Sequence, residues 1–224
     1  PTPGLPTRSM PSGGADCRGH QWRPCVTVLQ MLSISNDLQP DIGDRIMAAA
    51  ASCVQDFGVR RVTLAEIARR AGVSRPTIYR RWPDTRTILA ALLTERITDA
   101  WRETSSMSSD RDGLVARIVE VVQHVRRDEL VLTVFRSAPE LAMVYIVDRL
   151  GTSQQIMIDA VAEEIRIAQR DNSVRHGDPR RLAAMVLLIA QSAIQSGQIV
   201  EPILGSDGLI EELTYALNGY LADE

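Results

Sequence analysis

The sequence predicts an all-α fold, and three observations carry that prediction. From Asp41 onwards, apolar residues recur at three- and four-residue steps, which is the period of an amphipathic helix. The apolar segments begin after Ser, Thr or Asp and end at Gly or before Pro, which are helix start and stop signals. Aromatic residues make up only 4% of the chain, so the core must consist of aliphatic side chains and methionine, as suits a helical bundle.

Residues 1–39 are rich in proline, glycine and serine and show no sustained helical period. Such a segment buries too little apolar surface to offset the entropy lost on ordering it, so we expect a disordered arm. Met31 lies just before the first plausible ordered element. We therefore expect residues 1–30 to be an extension, or an over-long start, that folding and function do not need.

Four helices are predicted between Asp41 and about Trp101. The first covers residues 42–57 and ends at Gly58. Residues 63–66 form a capping box, in which Thr63 caps the third amide and Glu66 reaches back, and the short helix that follows ends at Gly72. Ser74 then caps a third helix with Pro76 in its first turn, and Asp84 caps a fourth. No segment is predicted to be a strand.

The rest of the chain predicts a second helical region. Ser105–Asp112 is polar and loop-like, and Asp171–Pro179 is a cluster of turn residues. Between and after them the apolar period predicts helices at about 114–126, 129–136, 139–150, 153–169, 178–196 and 207–221. We therefore divide the chain into an arm (1–39), a small helical domain (40–86) and a larger one (87–224).

Charge is unevenly distributed along the chain. Residues 60–86 hold eight arginines against Glu66 and Asp84, a net charge of +6. Residues 102–224 hold 12 arginines against 19 acidic residues, a net charge of −7. A basic end on an acidic body is expected when only that end meets a polyanion.

Two short helices joined by Ala71–Ser74 lie in the basic segment. Gly72 permits a left-handed turn and Ser74 starts the second helix at a steep angle, which predicts a helix-turn-helix. Residues 63–82, TLAEIARRAGVSRPTIYRRW, resemble the TetR family of transcriptional regulators closely. The resemblance covers about residues 42–93. Trp82 stands where the family usually has Phe, and Thr85 where it often has Lys.

The resemblance implies a DNA-binding transcriptional repressor. Its expected parts are a three-helix DNA-binding domain, a helical ligand-binding domain, homodimerisation through the last two helices, and release of a palindromic operator by a small molecule. Arginine offers a fork to guanine or phosphate, and hydroxyl groups near helix starts suit phosphates. For Thr63 and Ser74 simple capping is the alternative, and for Tyr79 partial burial. The expected DNA-binding residues are Thr63, Ser74, Arg75, Pro76, Thr77, Tyr79, Arg80, Arg81 and Arg86.

Residues 129–157 are too apolar to face a single neighbour, which predicts an apolar pocket in the larger domain. The effector that suits it is a long apolar molecule, such as a fatty acid-like compound or a lipophilic drug, with Arg136 as the one candidate for a carboxylate. The alternative is that these residues pack against one another. The expected ligand-binding residues are Phe135, Met143, Val147, Met157, Met185, Leu188 and Gln191.

Two apolar stripes near the end of the chain predict a four-helix interface between two copies. The first stripe contains Leu182, Met185, Val186, Ile189 and Ala193, and the second Leu209, Leu213, Leu217 and Leu221.

Other functions are disfavoured by what the sequence lacks. Three cysteines and three histidines show no metal-ligand spacing, and no catalytic or phosphate-binding motif is present, so we expect no cofactor, no metal and no enzyme. The longest apolar run, Ala183–Ala190, is too short to span a bilayer, and no leader is visible, which predicts a cytoplasmic protein. A helical protein-interaction module that does not bind DNA remains the alternative.

Overall fold

A computed structural model of the chain describes residues 41–105, 107–137 and 152–223, all within the unit that begins at Pro40. Within these ranges every regular element is a helix and none is a strand, which confirms the predicted all-α class. A single turn of 3-10 helix, Val59–Arg61, follows the first helix. The α-helices are α1 Ile42–Phe57, α2 Leu64–Ala71, α3 Arg75–Arg81, α4 Thr85–Glu103, α5 Arg111–Arg127, α6 Glu129–Ser137, α7 Thr152–Ala168 and α8 Pro179–Leu221.

Helices α1–α4 enclose the first apolar core. Ile46, Ile67, Ile78 and Ile88, one from each helix, are fully buried in it. Trp82 ends α3 and is buried in the same core, beneath the helix that it terminates. These contacts fix α3 against α1 and α2, since burial of several large side chains resists any change in the angle between the helices.

Helix α6 belongs to the same core, although it lies far along the chain. Its residues Leu130, Val131 and Val134 are buried there. Asp128 caps the helix, because its Oδ1 accepts hydrogen bonds from the amides of Leu130 (2.8 Å) and Val131 (2.9 Å). The core around the helix-turn-helix therefore extends past residue 86.

Helices α5, α7 and α8 enclose a second core, in which Leu114, Ile165 and Leu217 are among the most deeply buried residues. Helix α8 contains a break at Gly205 (φ 64°, ψ 176°), so its two halves change direction there. We had expected separate helices at 178–196 and 207–221, but residues 197–204 are helical as well. The prediction was too short because Gly197 and Pro202 resemble helix breakers in the sequence.

The residues predicted to form the dimer interface are mostly buried within the single chain. These side chains are already covered by their own chain, and the interface between two copies stays a prediction. The set comprises Leu182, Val186, Ala193, Leu213, Leu217 and Leu221 in the second core, and Leu209, which is also buried. The regular stripe marks the most apolar face of a helix, and the chain buries that face against its own α5 and α7. The outward side of α8 carries exposed apolar side chains, of which only Met185 belongs to the predicted stripes. The others are Leu188, Ile199, Ile203 and Tyr215.

Among the described helices, α8 alone is long and apolar enough to cross a membrane by length and composition. Its inner face packs against α5 and α7. The predicted arm (1–39), the predicted helix at 139–150, and the candidate ligand residues Met143 and Val147 lie outside the described residues.

A DNA-binding surface and an apolar cavity

The turn between α2 and α3 has the backbone that the sequence predicts. Gly72 adopts a left-handed conformation (φ 64°, ψ 36°), which glycine reaches without the steric cost of a Cβ atom. The amides of Gly72 and Val73 donate back to the carbonyl oxygens of Arg69 (3.3 Å) and Ala68 (3.0 Å) and close the helix end. The short turn holds α3 at a fixed angle to α2.

Arg45 on α1 also stabilises this turn. The sequence pattern did not indicate this contact. Its Nη2 donates to the carbonyl oxygen of Ala71 at 2.5 Å and lies 3.4 Å from that of Gly72. A cation at the C-terminal end of a helix interacts favourably with its unpaired carbonyl groups. The only signal in the sequence is an arginine near the start of α1, which by itself does not indicate a partner 26 residues away.

The predicted caps of α2 and α3 are formed. The Oγ1 of Thr63 accepts from the amide of Glu66 (3.2 Å), and the Oγ of Ser74 accepts from the amide of Thr77 (3.3 Å). The hydroxyl groups of Ser74 and Thr77 also share a hydrogen bond of 2.7 Å. Capping by Thr63 and Ser74 is therefore confirmed, while a contact of these hydroxyls with phosphate stays a prediction.

Helix α3 presents one face to solvent and buries the other. Arg75, Pro76, Tyr79 and Arg80 are exposed, whereas Ile78 is fully buried. The Tyr79 side chain is 51% exposed, so its hydroxyl is accessible and its ring is only half covered. Among the described residues, no carboxylate forms an ion pair with Arg75 or Arg80. This surface of α3 therefore offers unneutralised guanidinium groups and a phenol to a ligand.

Arg81 has a different position from the other predicted arginines. Its guanidinium carbon lies 5.6 Å from the centre of the Trp82 ring. A Cβ atom added to Gly43 would lie 3.0 Å from its Nη1, so the side chain reaches back to the start of α1. Arg81 packs against the helix-turn-helix rather than extending from it.

The capping box on α2 is only half formed. Instead of reaching back to the helix start, the Glu66 carboxylate accepts hydrogen bonds from Arg69 (2.7 and 2.9 Å) and Arg70 (3.1 Å). Arg70 also donates to Ser52 and Asp56. Hydrogen bonds from Arg69 and then Arg70 lower the pKa of Glu66 to about 2. Arg70 therefore stabilises the contact of α2 with α1, and the charge of both arginines is largely neutralised.

The start of α4 adds a further basic group beside α3. Asp84 accepts from the amide of Thr87 (2.7 Å) and from its hydroxyl (2.8 Å), and the backbone bond lowers the pKa of the Asp84 carboxyl. Arg86 in the first turn of α4 is exposed and Thr85 is half-buried. Arg86 thus extends the basic surface of α3 towards α4.

A largely apolar cavity of about 70 Å³ lies between α4, α5, α7 and α8. Of the expected ligand residues, Met157 and Gln191 line it. Phe135 packs instead against the core around the helix-turn-helix. Met185 and Leu188 lie on the exposed side of α8, beside a second concavity of about 480 Å³ between the two halves of that helix. Trp101 and Gln154 also line the apolar cavity, although nothing in the sequence pattern indicated them.

Trp101 of α4 forms part of the cavity wall, and Arg117 of α5 packs against its ring. The Arg117 guanidinium lies 3.8 Å from the centre of its ring and donates to its carbonyl oxygen at 2.7 Å. Arg117 is also paired with Glu164 of α7. Burial raises the pKa of the Glu164 carboxyl, and the Arg117 charge opposes that rise. One buried cluster therefore joins α4, α5 and α7 next to the cavity.

The chain is similar to known regulatory proteins. The sequence profile of "Bacterial regulatory proteins, tetR family" matches residues 46–92, which contain the helix-turn-helix. An HTH-type transcriptional regulator of Mycobacterium tuberculosis is 61% identical over 191 residues, or 85% of this chain and 100% of the relative. The chain belongs to the TetR family.

Solved structures of TetR-family regulators have the same fold. The transcriptional repressor QsdR from Rhodococcus erythropolis matches with a TM-score of 0.63 and 17% identity, covering 83% of this chain and 98% of that one. RolR in complex with resorcinol matches with a TM-score of 0.60 and 16% identity, covering 80% and 87%. The chain is thus a TetR-family, DNA-binding transcriptional regulator of a non-enzymatic family. The interaction-module and enzyme alternatives are set aside.

Proposed function

We propose that this TetR-family regulator is a homodimeric repressor in the cytoplasm, which binds a partly palindromic operator through α3 and leaves it when an apolar effector enters the cavity. The observation that carries the proposal is the exposed face of α3, where Arg75 and Arg80 have no carboxylate partner among the described residues. The cavity supplies the second half, since one of its walls is α4, the helix that follows α3 directly.

The roles we propose on DNA follow from position and chemistry. Arg75, in the first turn of α3, reads a guanine edge in the major groove, where the N-terminal residues of a recognition helix meet the bases. Arg80 and Arg86 bind phosphates on either side. Tyr79 and the hydroxyl groups of Thr63, Ser74 and Thr77 fix the register on the backbone, and Pro76 makes an apolar contact. Arg81 keeps the start of α1 in place.

The dimer we propose uses the outward side of α8. Leu188 is 59% exposed and Tyr215 is 79% exposed, on the two halves of the helix. Met185 and Leu188, one turn apart, line the same concavity, and contiguous exposed apolar side chains mark an interaction surface. A second copy related by a twofold axis would place the same surface opposite itself. The concavity between the two halves of α8 would then be closed in each copy.

The small size of the cavity links effector binding to release of the operator, because an effector must move helices apart to enter. At about 70 Å³ it offers roughly half the 150 Å³ of an engineered cavity that binds benzene. An effector therefore fits only if α4, α5, α7 or α8 move apart. Movement of α4 shifts α3, and movement of α5 shifts α6, which packs in the core of the helix-turn-helix. An effector that binds the opened form more tightly lowers the population able to span two half-sites.

The test is a mobility-shift titration on a duplex that the protein has selected from a random library. The proposal expects retardation by a dimer, and loss of retardation when an apolar compound is added but not when a small hydrophilic metabolite is. Release by the hydrophilic compound alone would contradict the effector half of the proposal. Retardation by a monomer, with the same affinity for a single half-site as for the full site, would contradict the dimeric half.

A further inference from the structure

The polar side chains on the described wall of the cavity are few, and all of them are carboxamides. Fourteen described residues line it, and twelve of them are apolar. The other two are Gln154 on α7 and Gln191 on α8. A carboxamide both donates and accepts hydrogen bonds and carries no charge. The described wall thus carries neutral carboxamides on two helices and no ionised group.

Two arginines of α5, one of the helices that line the cavity, are engaged elsewhere. Arg117 lies behind the Trp101 ring and is paired with Glu164. Arg126, further along α5, donates to the carbonyl oxygen of Ala193 at 2.8 Å and lies 3.8 Å from Glu201. Neither residue lines the cavity.

Arg136, which the sequence suggested as a carboxylate partner, is exposed on α6 and does not line the cavity. A carboxylate or ammonium that enters the cavity therefore loses its hydration without gaining a partner among the described residues, which is strongly unfavourable.

We infer that the effector is an uncharged molecule with an apolar body and a neutral hydrogen-bonding group of the carboxamide, ketone, lactone or alcohol class. This inference rests on the proposed function, since it names the ligand class of the same cavity. It narrows the fatty acid-like effector expected from the sequence, because the described wall offers an ionised carboxylate no partner. The apolar body enters between α5 and α8, and the neutral group bonds to Gln191.

The experiment uses three probes with the same eight-carbon chain: octanamide, octanoate and octylammonium. Binding to the full chain at pH 7 is measured by titration calorimetry. A change in tryptophan fluorescence that is absent from Trp101→Phe would assign the site to the cavity. The expected result is that octanamide binds on the order of a hundredfold more tightly than either ion, because each ion leaves an unpaired charge in the cavity.

The role of the carboxamide is tested with two matched variants on α8. Gln191→Leu keeps the size of the side chain and removes its hydrogen bonds, so octanamide should bind about tenfold more weakly. Gln195→Leu makes the same change one turn further along, at a position that does not line the cavity, and should bind octanamide like the wild type. The pair separates loss of the hydrogen bond from a general effect on α8.

The inference and the proposed function fail in different ways. Octanoate or octylammonium binding as tightly as octanamide would overturn the inference, and so would equal affinities of Gln191→Leu and wild type for octanamide. Absence of octanamide binding to a protein that still retards its duplex would overturn it too. Failure of the proposed function is read from DNA alone, as the absence of a dimeric, sequence-selective complex without any probe.

Discussion

Replacing Gly197 with alanine should destabilise the protein by crowding Arg126 of α5 and Leu209 of the second half of α8. Gly197 is buried on the first half of α8, where the Arg126 side chain of α5 crosses it. A Cβ atom at this position would overlap the Nη1 of Arg126 and lie 2.8 Å from the Cδ2 of Leu209. The guanidinium would have to leave its hydrogen bond with the carbonyl oxygen of Ala193.

The magnitude follows from three contributions. Loss of a hydrogen bond from a charged, mostly buried donor costs about 1.5–3 kcal/mol, and the Arg126 side chain is only 16% exposed. Crowding against Leu209 adds about 1–3 kcal/mol. Alanine in place of glycine within a helix returns about 0.5–1 kcal/mol. The free energy of unfolding should therefore fall by about 3 kcal/mol.

The assay is urea unfolding at one fixed protein concentration, since association also contributes to stability. Gly208→Ala is the matched control, because the nearest atom to its added Cβ is 3.8 Å away and belongs to Leu204 of the same helix. That variant should be as stable as the wild type or slightly more stable. In an Arg126→Ala background, Gly197→Ala should cost less than in the wild type. Equal urea midpoints for Gly197→Ala and the wild type would refute the reasoning.

Three further predictions concern the DNA surface, the acid response and the dimer. Arg75→Ala should cost about 1–3 kcal/mol of operator binding and relax selectivity at one base position, whereas Tyr79→Phe should weaken the binding of all duplexes alike. Anisotropy titrations on single-base variants of the operator distinguish the two results. Unchanged selectivity of Arg75→Ala would exclude guanine recognition by Arg75. Because the folded pKa of Glu66 is about 2, below its usual 4.5, its contribution to stability is present above pH 4.5 and is lost as the pH falls towards 2. Glu66→Gln should flatten that part of the pH profile in urea unfolding, and an unaltered profile would count against the Arg69–Glu66–Arg70 contacts. Leu188→Glu should yield monomers in sedimentation at micromolar concentration, because the proposed interface would then bury an unpaired carboxylate from each copy. A stable dimer would exclude this side of α8 as the interface.

The sequence specified the helix-turn-helix well because its signals are local. Thr63 and Ser74 cap the helices that directly follow them, and Gly72 closes the one before it. Each of these contacts spans only a few residues, so the order of residue types is sufficient to predict it. Burial of Ile78 and Trp82 beneath the exposed face of α3 follows from the same helical period.

Contacts between distant residues were not predictable in this way. The bond from Arg45 to the carbonyl oxygen of Ala71 and the crossing of Arg126 over Gly197 depend on how helices pack, which periodicity does not specify. The same limit applies to the apolar stripes of α8. An apolar stripe shows that a face is buried, but it does not show whether the partner is the same chain or a second copy.

The central claim is that α3 reads a symmetric DNA site as part of a dimer, and selection of bound fragments from a random duplex library tests it most directly. We predict a partly palindromic consensus whose half-sites are separated by about 10–10.5 base pairs or a multiple of that distance. The affinity for the recovered duplex should fall steeply as the salt concentration rises from about 50 to 200 mM. Recovery of no consensus, or a single asymmetric half-site bound with an affinity insensitive to salt, would contradict the claim.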